Sequence, residues 1–265
     1  MNSDSYYEIG AGHVFCQDYS LHGKIGETYY AIGCDGCSGS PKSEFGARLQ
    51  AHIVRKLLEI HGGFIEPEIL KQSVIQEMRE LKTKLRLDTS NFDATLWVLT
   101  ATANSYQILG WGDGMVVRKG KDGHFNVTSV VYSSGAPRYL SYALDPSRYQ
   151  TYLQEFGNSD VQAVHLEKEM EPEVESHPVE TFFYEEYGQL DDDIQTISVT
   201  SDGLATFQKR GDETFLPMID FADRLTAYKS TTGLFVERRM RKVSTENQKD
   251  DIIHFDDLFC ATIAL

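Results

Sequence analysis

Four aspartates that could bind a hard metal ion stand at the ends of apolar segments far apart in the sequence. Asp35 follows YYAIGC, Asp202 follows ISVTS, Asp256 precedes DLFCATIAL, and Asp18 lies in GHVFCQDYS near the start. One such aspartate is usually a turn former, but several carboxylates at one place repel each other unless they hold a cation. Oxygen ligands favour Mg²⁺ or Mn²⁺ over zinc, and two such ions would activate a water for hydrolysis of a phosphate ester.

A second chemistry is open at Cys34 and Cys37, which enclose an Asp-Gly pair in the segment CDGC. A structural zinc site usually takes two close cysteine pairs, and the other two cysteines of the chain are single. A redox Cys-x-x-Cys usually opens a helix in a βαβ unit. We therefore interpret Cys34 as a core residue and Cys37 as a small loop residue, with a zinc or redox protein as the alternative.

The composition excludes several classes of protein. The chain has 265 residues, a net charge of −15 and 41% hydrophobic residues, which is typical of a globular domain with an acidic surface. Such a surface disfavours nucleic acid and anionic membranes as partners. The start, MNSDSYYEIG, lacks the features of a secretory signal, and four cysteines are too few for a disulfide scaffold. We expect a cytoplasmic protein with reduced thiols.

Two amphipathic helices are predicted after the apolar strand YYAIGCD. The first is SEFGARLQAHIVRKLLEI, with Ser43 as its N-cap. Its predicted buried face consists of Phe45, Leu49, Ile53, Leu57 and Ile60. The second helix is EPEILKQSVIQEMRELKTKLRL, with Pro67 in its first turn.

The following segment, DATLWVLTATANSYQILGWGDGMVVRKGKDGHFNVTSV, predicts four strands of one antiparallel meander. Turns are expected at residues 104–105, 112–114 and 121–123. A further strand is predicted in IQTISVTSDGL, and two helices near residues 217–228 and 233–243 precede a last strand, DDLFCATIAL.

An acidic segment interrupts this order. Residues 155–193 contain 13 acids, the single lysine Lys168 and no arginine. Such a composition predicts a solvated insertion or mobile loop, and the alternative is a flap that modulates substrate access. We place this insertion or flap around residues 145–193.

Six segments, in their order along the chain, resemble the metal-dependent protein phosphatases of type 2C, in a bacterial-style form. These segments are CQD, CDGCSGS, DATLWVLTA, ILGWGDGMVVRKG, VTSDGL and DDLFCATIAL. The resemblance extends from about Ile9 to Leu265. It implies an α+β fold, a four-layer α-β-β-α sandwich with two central antiparallel sheets, in a single phosphatase domain of residues 1–265. It also implies hydrolysis of phosphoserine or phosphothreonine on proteins with two or three Mg²⁺ or Mn²⁺ ions, and a cognate Ser/Thr kinase as a partner.

The resemblance assigns roles to the strand-end acids. Asp35 would bridge two metal ions, and the carbonyl of Gly36 would add a ligand. Asp202 and Asp256 would hold the first ion, and Asp18 would serve the second directly or through water.

Other positions receive lesser roles from the resemblance. Asp93 matches a ligand of a third, weaker metal in some members, and Asp257 would orient its neighbour. Asp113 matches a turn residue for which we favour a structural role in a hairpin. Gln17 stands where many members have glutamate, and bacterial-style members vary there.

Two departures bear on activity. The family often has an arginine phosphate clamp where this chain has His13, so His13 is either a phosphate contact or a surface histidine. Eukaryotic members often have a histidine general acid at the position of Cys37, so the leaving group would take its proton from water at the metals. These losses leave an alternative function open, namely a weak or inactive pseudophosphatase that acts as a binding module.

Overall fold

The structure is a computed structural model that describes residues 1–167, 170–190, 193–212 and 214–265. The larger of its two main sheets contains, in spatial order, β1 (Asn2–Glu8), β14 (Leu258–Ala264), β11 (Ile194–Thr200), β6 (Gly114–Gly120), β7 (Phe125–Tyr132), β8 (Asp160–Glu167) and β9 (Glu173–Pro178). The smaller contains β10 (Tyr184–Gln189), β5 (Ser105–Trp111), β4 (Leu96–Ala101), β3 (Thr28–Cys34) and β2 (Tyr19–Ile25). The named strand pairs are antiparallel.

Helices cover the outer face of each sheet. The helices α1 (Ser43–His61) and α2 (Pro67–Leu85) form one outer layer, in which α1 packs on the five-stranded sheet. The helices α4 (Met218–Thr226) and α5 (Phe235–Lys249) pack on the seven-stranded sheet. These layers confirm the predicted α+β, four-layer α-β-β-α sandwich. A fifth helix, α3 (Pro146–Phe156), lies near the start of the acidic segment, and β12 (Phe207–Lys209) pairs with β13 (Ile252–His254) outside the main sheets.

Three apolar cores separate the four layers. The central core, between the sheets, includes Trp97, Leu99 and Phe259, none of which is exposed to solvent. Burying each such side chain stabilises the fold by about 1.5–3 kcal/mol. The sheets approach closely at Gly33, where an added Cβ would lie 1.9 Å from the ring of Phe259.

The first helix has the predicted range, but two details of its prediction are wrong. The N-cap is Lys42, and Ser43 is the first helical residue. The predicted buried face is confirmed at Ile53 and Leu57. It is wrong at its two ends, because Phe45 is 47% and Ile60 64% exposed. The buried face contains small residues such as Gly46, since α1 packs against residues 89–92 so closely that there is no room for a Cβ at this glycine.

The prediction of a single four-stranded meander is wrong at residues 112–114. The strand β5 belongs to the five-stranded sheet and β6 to the seven-stranded sheet, so this turn crosses between the two central layers. The crossing uses the left-handed conformations of Gly112 (φ 91°) and Gly114 (φ 143°), which glycine adopts readily.

The described part of the acidic segment contains α3 and three strands that were not predicted. The strands β8 and β9 extend the seven-stranded sheet, and β10 pairs with β5 in the other sheet. Lys168 and residues 169, 191 and 192 of this segment lie outside the described residues. Within the described ranges, no helix has the length and hydropathy needed to cross a membrane.

Candidate active site

The predicted metal-binding acids lie at one edge of the sandwich. Asp35 directly follows β3, and Asp18 directly precedes β2. Asp202 lies two residues after β11, and Asp256 two residues before β14. The strand register places these ends side by side through the pairs Tyr19–Cys34, Thr200–Cys260 and Thr200–Met115.

The pKa values show how strongly these acids influence one another. Burial, followed by the charges of neighbouring aspartates, raises the pKa values of Asp18, Asp35 and Asp113 well above the usual range. Burial and then Asp256 raise the pKa of Asp202 to about 6. The carboxyls therefore destabilise each other's ionised forms, as expected of acids that are held together for a cation.

Asp113 is a member of this acid group that the sequence analysis did not include. Its backbone carbonyl accepts a hydrogen bond from Trp97 Nε1 at 2.7 Å, which fixes the turn, as a structural role requires. Its charge, however, raises the pKa of Asp35, and the charges of Asp202 and Asp256 raise the pKa of Asp113 itself. The signal in the sequence was an aspartate at a strand end beside glycine, the same signal that identified Asp35.

The loop that carries Asp35 is held by backbone pairing. The Asp35 N–H donates to Thr95 Oγ1 at 3.1 Å, and the Thr95 N–H donates to the Asp35 carbonyl at 2.8 Å. The Cys37 N–H donates to the Asp93 carbonyl at 2.9 Å. The last two bonds flank Gly36 and leave its carbonyl outside the pairing, so that it is available as a ligand.

Gln17 supports the same loop from the other side. Its Nε2 donates to the Cys37 carbonyl at 3.1 Å and to Ser43 Oγ at 2.5 Å, and Ser43 Oγ donates to the same carbonyl at 2.7 Å. An ionised glutamate has no N–H and could make neither donation. Gln17 therefore positions the loop in this chain.

Asp18 has an unpaired buried oxygen. Its side chain is 1% exposed, and Oδ2 accepts a hydrogen bond from Ser201 Oγ at 2.7 Å. Oδ1 has no hydrogen-bond partner among the described residues. A buried carboxylate oxygen without a partner is costly, and a bound cation would satisfy it.

His13 lies between the two acids that precede β14. Its Nε2 is 3.0 Å from Asp256 Oδ1, and its Nδ1 is 3.1 Å from Asp257 Oδ2. Asp257 also accepts from the backbone N–H groups of Gly10 at 2.8 Å and Gln17 at 2.6 Å. The imidazole thus joins the N-terminal loop to these acids, and both of its nitrogens are engaged.

The Asp93 carboxyl is engaged by two serines and by Arg148 of the insertion. Its carboxyl accepts hydrogen bonds from Ser40 Oγ at 2.6 Å, from Ser141 Oγ at 2.5 Å and from both terminal nitrogens of Arg148, one at 2.8 Å. A third metal at Asp93 stays a prediction, and it would have to displace Arg148. The contacts favour a structural role.

Gly203 lets the Asp202 loop lie against the last acids. An added Cβ would stand 1.9 Å from the Asp257 carbonyl oxygen, so a side chain would push the two loops apart. The glycine of the segment SDG is therefore needed for close approach.

The cysteines give little support to a redox site. All four are free thiols, and burial raises the pKa of Cys34 above its usual range, which disfavours the reactive thiolate. Cys37 lies near the hydroxyl of Tyr139. Burial, then the charges of Cys37, Asp113 and Asp35, raise the pKa of Tyr139 well above its usual range. No local pattern in the sequence pointed to Tyr139.

The carboxylate oxygens of the site are ligands that a hard cation prefers. In their present positions, however, the side chains do not surround a single metal position. Within the described ranges, no three His, Cys, Asp or Glu side chains surround a common metal position. Within the same described ranges, His13 is the only residue that forms ion pairs with these acids. A group of carboxylates with an unpaired buried oxygen and little neutralising charge fits Mg²⁺ or Mn²⁺.

Comparison with known families finds one match. The sequence profile of the family described as protein phosphatase 2C matches residues 9–243. No curated protein matches the chain by sequence.

Solved structures share the fold at low sequence identity. A bacterial serine phosphatase has a TM-score of 0.55 at 12% identity, with 100% of this chain and 97% of that chain covered. Serine/threonine phosphatase Stp1 from Staphylococcus aureus has a TM-score of 0.53 at 13% identity, covering 99% and 94%. The PP2C phosphatase domain of SpoIIE from Bacillus subtilis has a TM-score of 0.54 at 14% identity, covering 99% and 61%.

Proposed function

The chain belongs to the protein phosphatase 2C family, and on this basis we propose that it hydrolyses phosphoserine or phosphothreonine on proteins. One observation carries the proposal: acids from five separate parts of the chain meet at one edge of the sandwich. These acids are Asp18, Asp35, Asp113, Asp202 and Asp256. They give the site the electrostatic character that a phosphatase with bound cations requires.

We propose that Asp35, the Gly36 carbonyl, Asp202, Asp256 and Asp18 hold Mg²⁺ or Mn²⁺. When bound, these ions supply an activated water and neutralise charge that develops on the phosphoryl oxygens. The protein contributes by positioning the metal ligands. The Asp35 loop is fixed by its hydrogen bonds to Thr95 and by the Gln17 amide. Preorganised ligands of this kind avoid a reorganisation cost during the reaction.

The domain organisation is part of the same proposal. Residues 1–265 act as a single phosphatase domain, and residues 145–193 form an acidic insertion or a flap beside the site. The bidentate ion pair of Arg148 with Asp93 supports this arrangement, because it connects the insertion to the residues beside the site. The substrate is a phosphorylated protein, and the enzyme that opposes this chain is a cognate Ser/Thr kinase.

Hydrolysis of p-nitrophenyl phosphate tests the proposal. Activity should require Mn²⁺ or Mg²⁺ and disappear with EDTA, and the Asp202→Asn variant should be inactive. Asp220→Asn, at an exposed position on α4, is the matched control and should keep full activity. Full activity of the Asp202→Asn variant would contradict the site assignment.

A second candidate is an inactive binding module. The observation that favours it is that both ring nitrogens of His13, at the position of the family's phosphate-clamping arginine, are engaged by Asp256 and Asp257 and leave no donor for the phosphate. Calorimetric titration with Mn²⁺ separates the two functions: heat of binding at saturable sites supports the enzyme, and its absence supports the inert module.

A further inference from the structure

A cavity of about 440 Å³ lies under both ends of the acidic insertion. One wall comes from α2, and the others come from residues 138–143, from Tyr149 and from residues 180–183. Its aromatic lining consists of Trp111, Tyr139, Tyr142, Tyr149 and Phe183. A concave, mostly apolar site of this size is large enough to bind a small ligand or a large side chain.

The cavity and the acid site share a wall. Tyr139 lines the cavity and lies close enough to Cys37, Asp35 and Asp113 for their charges to act on its hydroxyl. Trp111 also lines the cavity and stands two residues before Asp113. A molecule bound at the acids therefore has the cavity as its immediate neighbour.

One polar group in the cavity wall lacks a partner. Trp111 is 3% exposed, and its indole N–H has no hydrogen-bond partner among the described residues. The other tryptophan, Trp97, donates its N–H to the Asp113 carbonyl. The ring of Phe183 stacks on Trp111 at 5.7 Å and holds its orientation. A fixed, buried donor without an acceptor is costly, but Nε1 is closed to solvent, so Trp111 contributes to the cavity through its ring carbons and not through this donor.

Three of the four charged side chains at the cavity are engaged within the chain, and the fourth, Glu180, is exposed to solvent. Lys71 pairs with Glu68 at 3.1 Å, and Arg138 donates to the Phe182 carbonyl at 2.8 Å. The aromatic rings therefore determine what the cavity can bind, and another aromatic ring is the best match for them.

We propose that this cavity is the subsite for an aromatic side chain that flanks the phosphorylated residue of the substrate protein. The inference rests on the proposed function and specifies its substrate class. The flanking ring packs among the cavity's aromatic side chains, including the ring of Trp111. The cavity then selects among phosphoproteins that present the same phosphoryl group.

Steady-state kinetics on paired phosphoserine peptides test the proposal. The peptides of each pair differ only in carrying tyrosine or alanine at one position within two residues of the phosphoserine. We expect kcat/KM to be about tenfold higher for a tyrosine peptide, as is usual for a filled apolar pocket. Ala143→Trp, which places a ring at the exposed edge of the cavity, should remove this preference by lowering kcat/KM for the tyrosine peptides to the level of their alanine partners. Ala143→Ser is the control and should keep the preference. Equal kcat/KM within every pair would overturn the proposal.

A binding measurement separates this inference from the proposed function. The chain has two tryptophans, so the fluorescence of the Asp202→Asn variant reports on Trp111 without turnover. A tyrosine peptide should change the emission and its alanine partner should not, and the change should vanish with an added Trp111→Phe substitution. If no peptide is hydrolysed but this pattern holds, the subsite stands and the enzymatic proposal fails. If hydrolysis occurs but the tyrosine peptide leaves the emission unchanged, only the subsite proposal fails.

Discussion

Asp93 and Arg148 form a bidentate ion pair that joins the residues before β4 to helix α3. One terminal nitrogen of Arg148 lies 2.8 Å from Asp93 Oδ1, and the other binds Oδ2. The Asp93 side chain is 1% exposed, and its backbone carbonyl accepts from the N–H of Cys37. This pair therefore links the acidic insertion to the loop that carries Asp35.

Loss of this pair should destabilise the fold. Arg148→Met leaves the Asp93 carboxylate buried without its cation, which typically costs about 3–5 kcal/mol. We expect a reduction of this size in the free energy of unfolding in urea. Arg55→Met removes an exposed pair with Glu59 and is the control, with an expected change of about 0.5 kcal/mol or less.

Asp93→Asn tests whether Asp93 also holds a metal. Because its oxygens are occupied by protein groups, we expect lower stability with unchanged Mn²⁺ affinity by calorimetry. A large loss of one Mn²⁺ site without a loss of stability would instead support the predicted third metal.

His13 should act through Asp256 and not on the phosphate. Its Nε2 is 3.0 Å from Asp256 Oδ1, so His13→Ala frees a predicted ligand from its support. Loss of such a supporting contact usually costs about 10–100-fold in metal affinity, and we expect a Mn²⁺ affinity lower by about tenfold. His13→Gln, which keeps one donor, should lose less. Unchanged Mn²⁺ affinity together with a raised KM would show that His13 binds the phosphate.

The stability of the metal-free protein should fall as the pH rises. The pKa of Asp202 is raised from 3.8 to about 6 in the folded state, so the folded protein holds a proton there that the unfolded chain has lost. The free energy of unfolding in EDTA should therefore decrease from about pH 4 to about pH 6 through this group. The raised pKa values of Asp18 and Asp35 act in the same direction.

Urea unfolding at a series of pH values, with EDTA, measures this effect. The slope should be shallower in Asp202→Asn, because the amide does not titrate. Added Mn²⁺ should oppose the decrease, since metal binding requires deprotonated carboxylates. An identical pH profile for the variant would show that Asp202 does not contribute.

Gly33→Ala should disturb the central core. The new methyl group would lie 1.9 Å from the ring of Phe259 on β14, and overpacking of this kind costs about 1–3 kcal/mol. We expect a lower melting temperature in calorimetry. Gly39→Ala is the control, since its nearest neighbour beyond the adjacent residues is Cys37 Sγ at 3.8 Å. Equal melting temperatures for the two variants would mean that β14 adjusts without cost.

The acids at strand ends could be predicted because the pattern is local. An apolar run that stops at Asp-Gly identifies Asp35 and Asp202 without knowledge of the tertiary fold. Asp113 has the same pattern, but its turn resembles a hairpin. Its flanking strands are adjacent in sequence and lie in different sheets. Only the assembled sandwich brings its carboxyl to the others.

The parts that could not be predicted depend on long-range packing. The strand β1, NSDSYYE, has no apolar alternation and is extended because it pairs with β14. Tyr139 reaches the site from the insertion, at a distance in sequence that no motif spans. The exposed Phe45 shows the same limit, because periodicity identifies a helix but not which side its neighbour approaches.

The pairing of β1 with β14 also determines when the site can exist during synthesis. The register joins Asn2 to Ala264, and β14 lies between β1 and β11 in the sheet. A nascent chain that has released only its first 250 residues carries Asp18, Asp35 and Asp202 but lacks Asp256 and the strand that joins β1 to β11. Contacts of such long sequence separation form late in folding. Phosphatase activity should therefore appear only after β14 has been released and has inserted between its two neighbours.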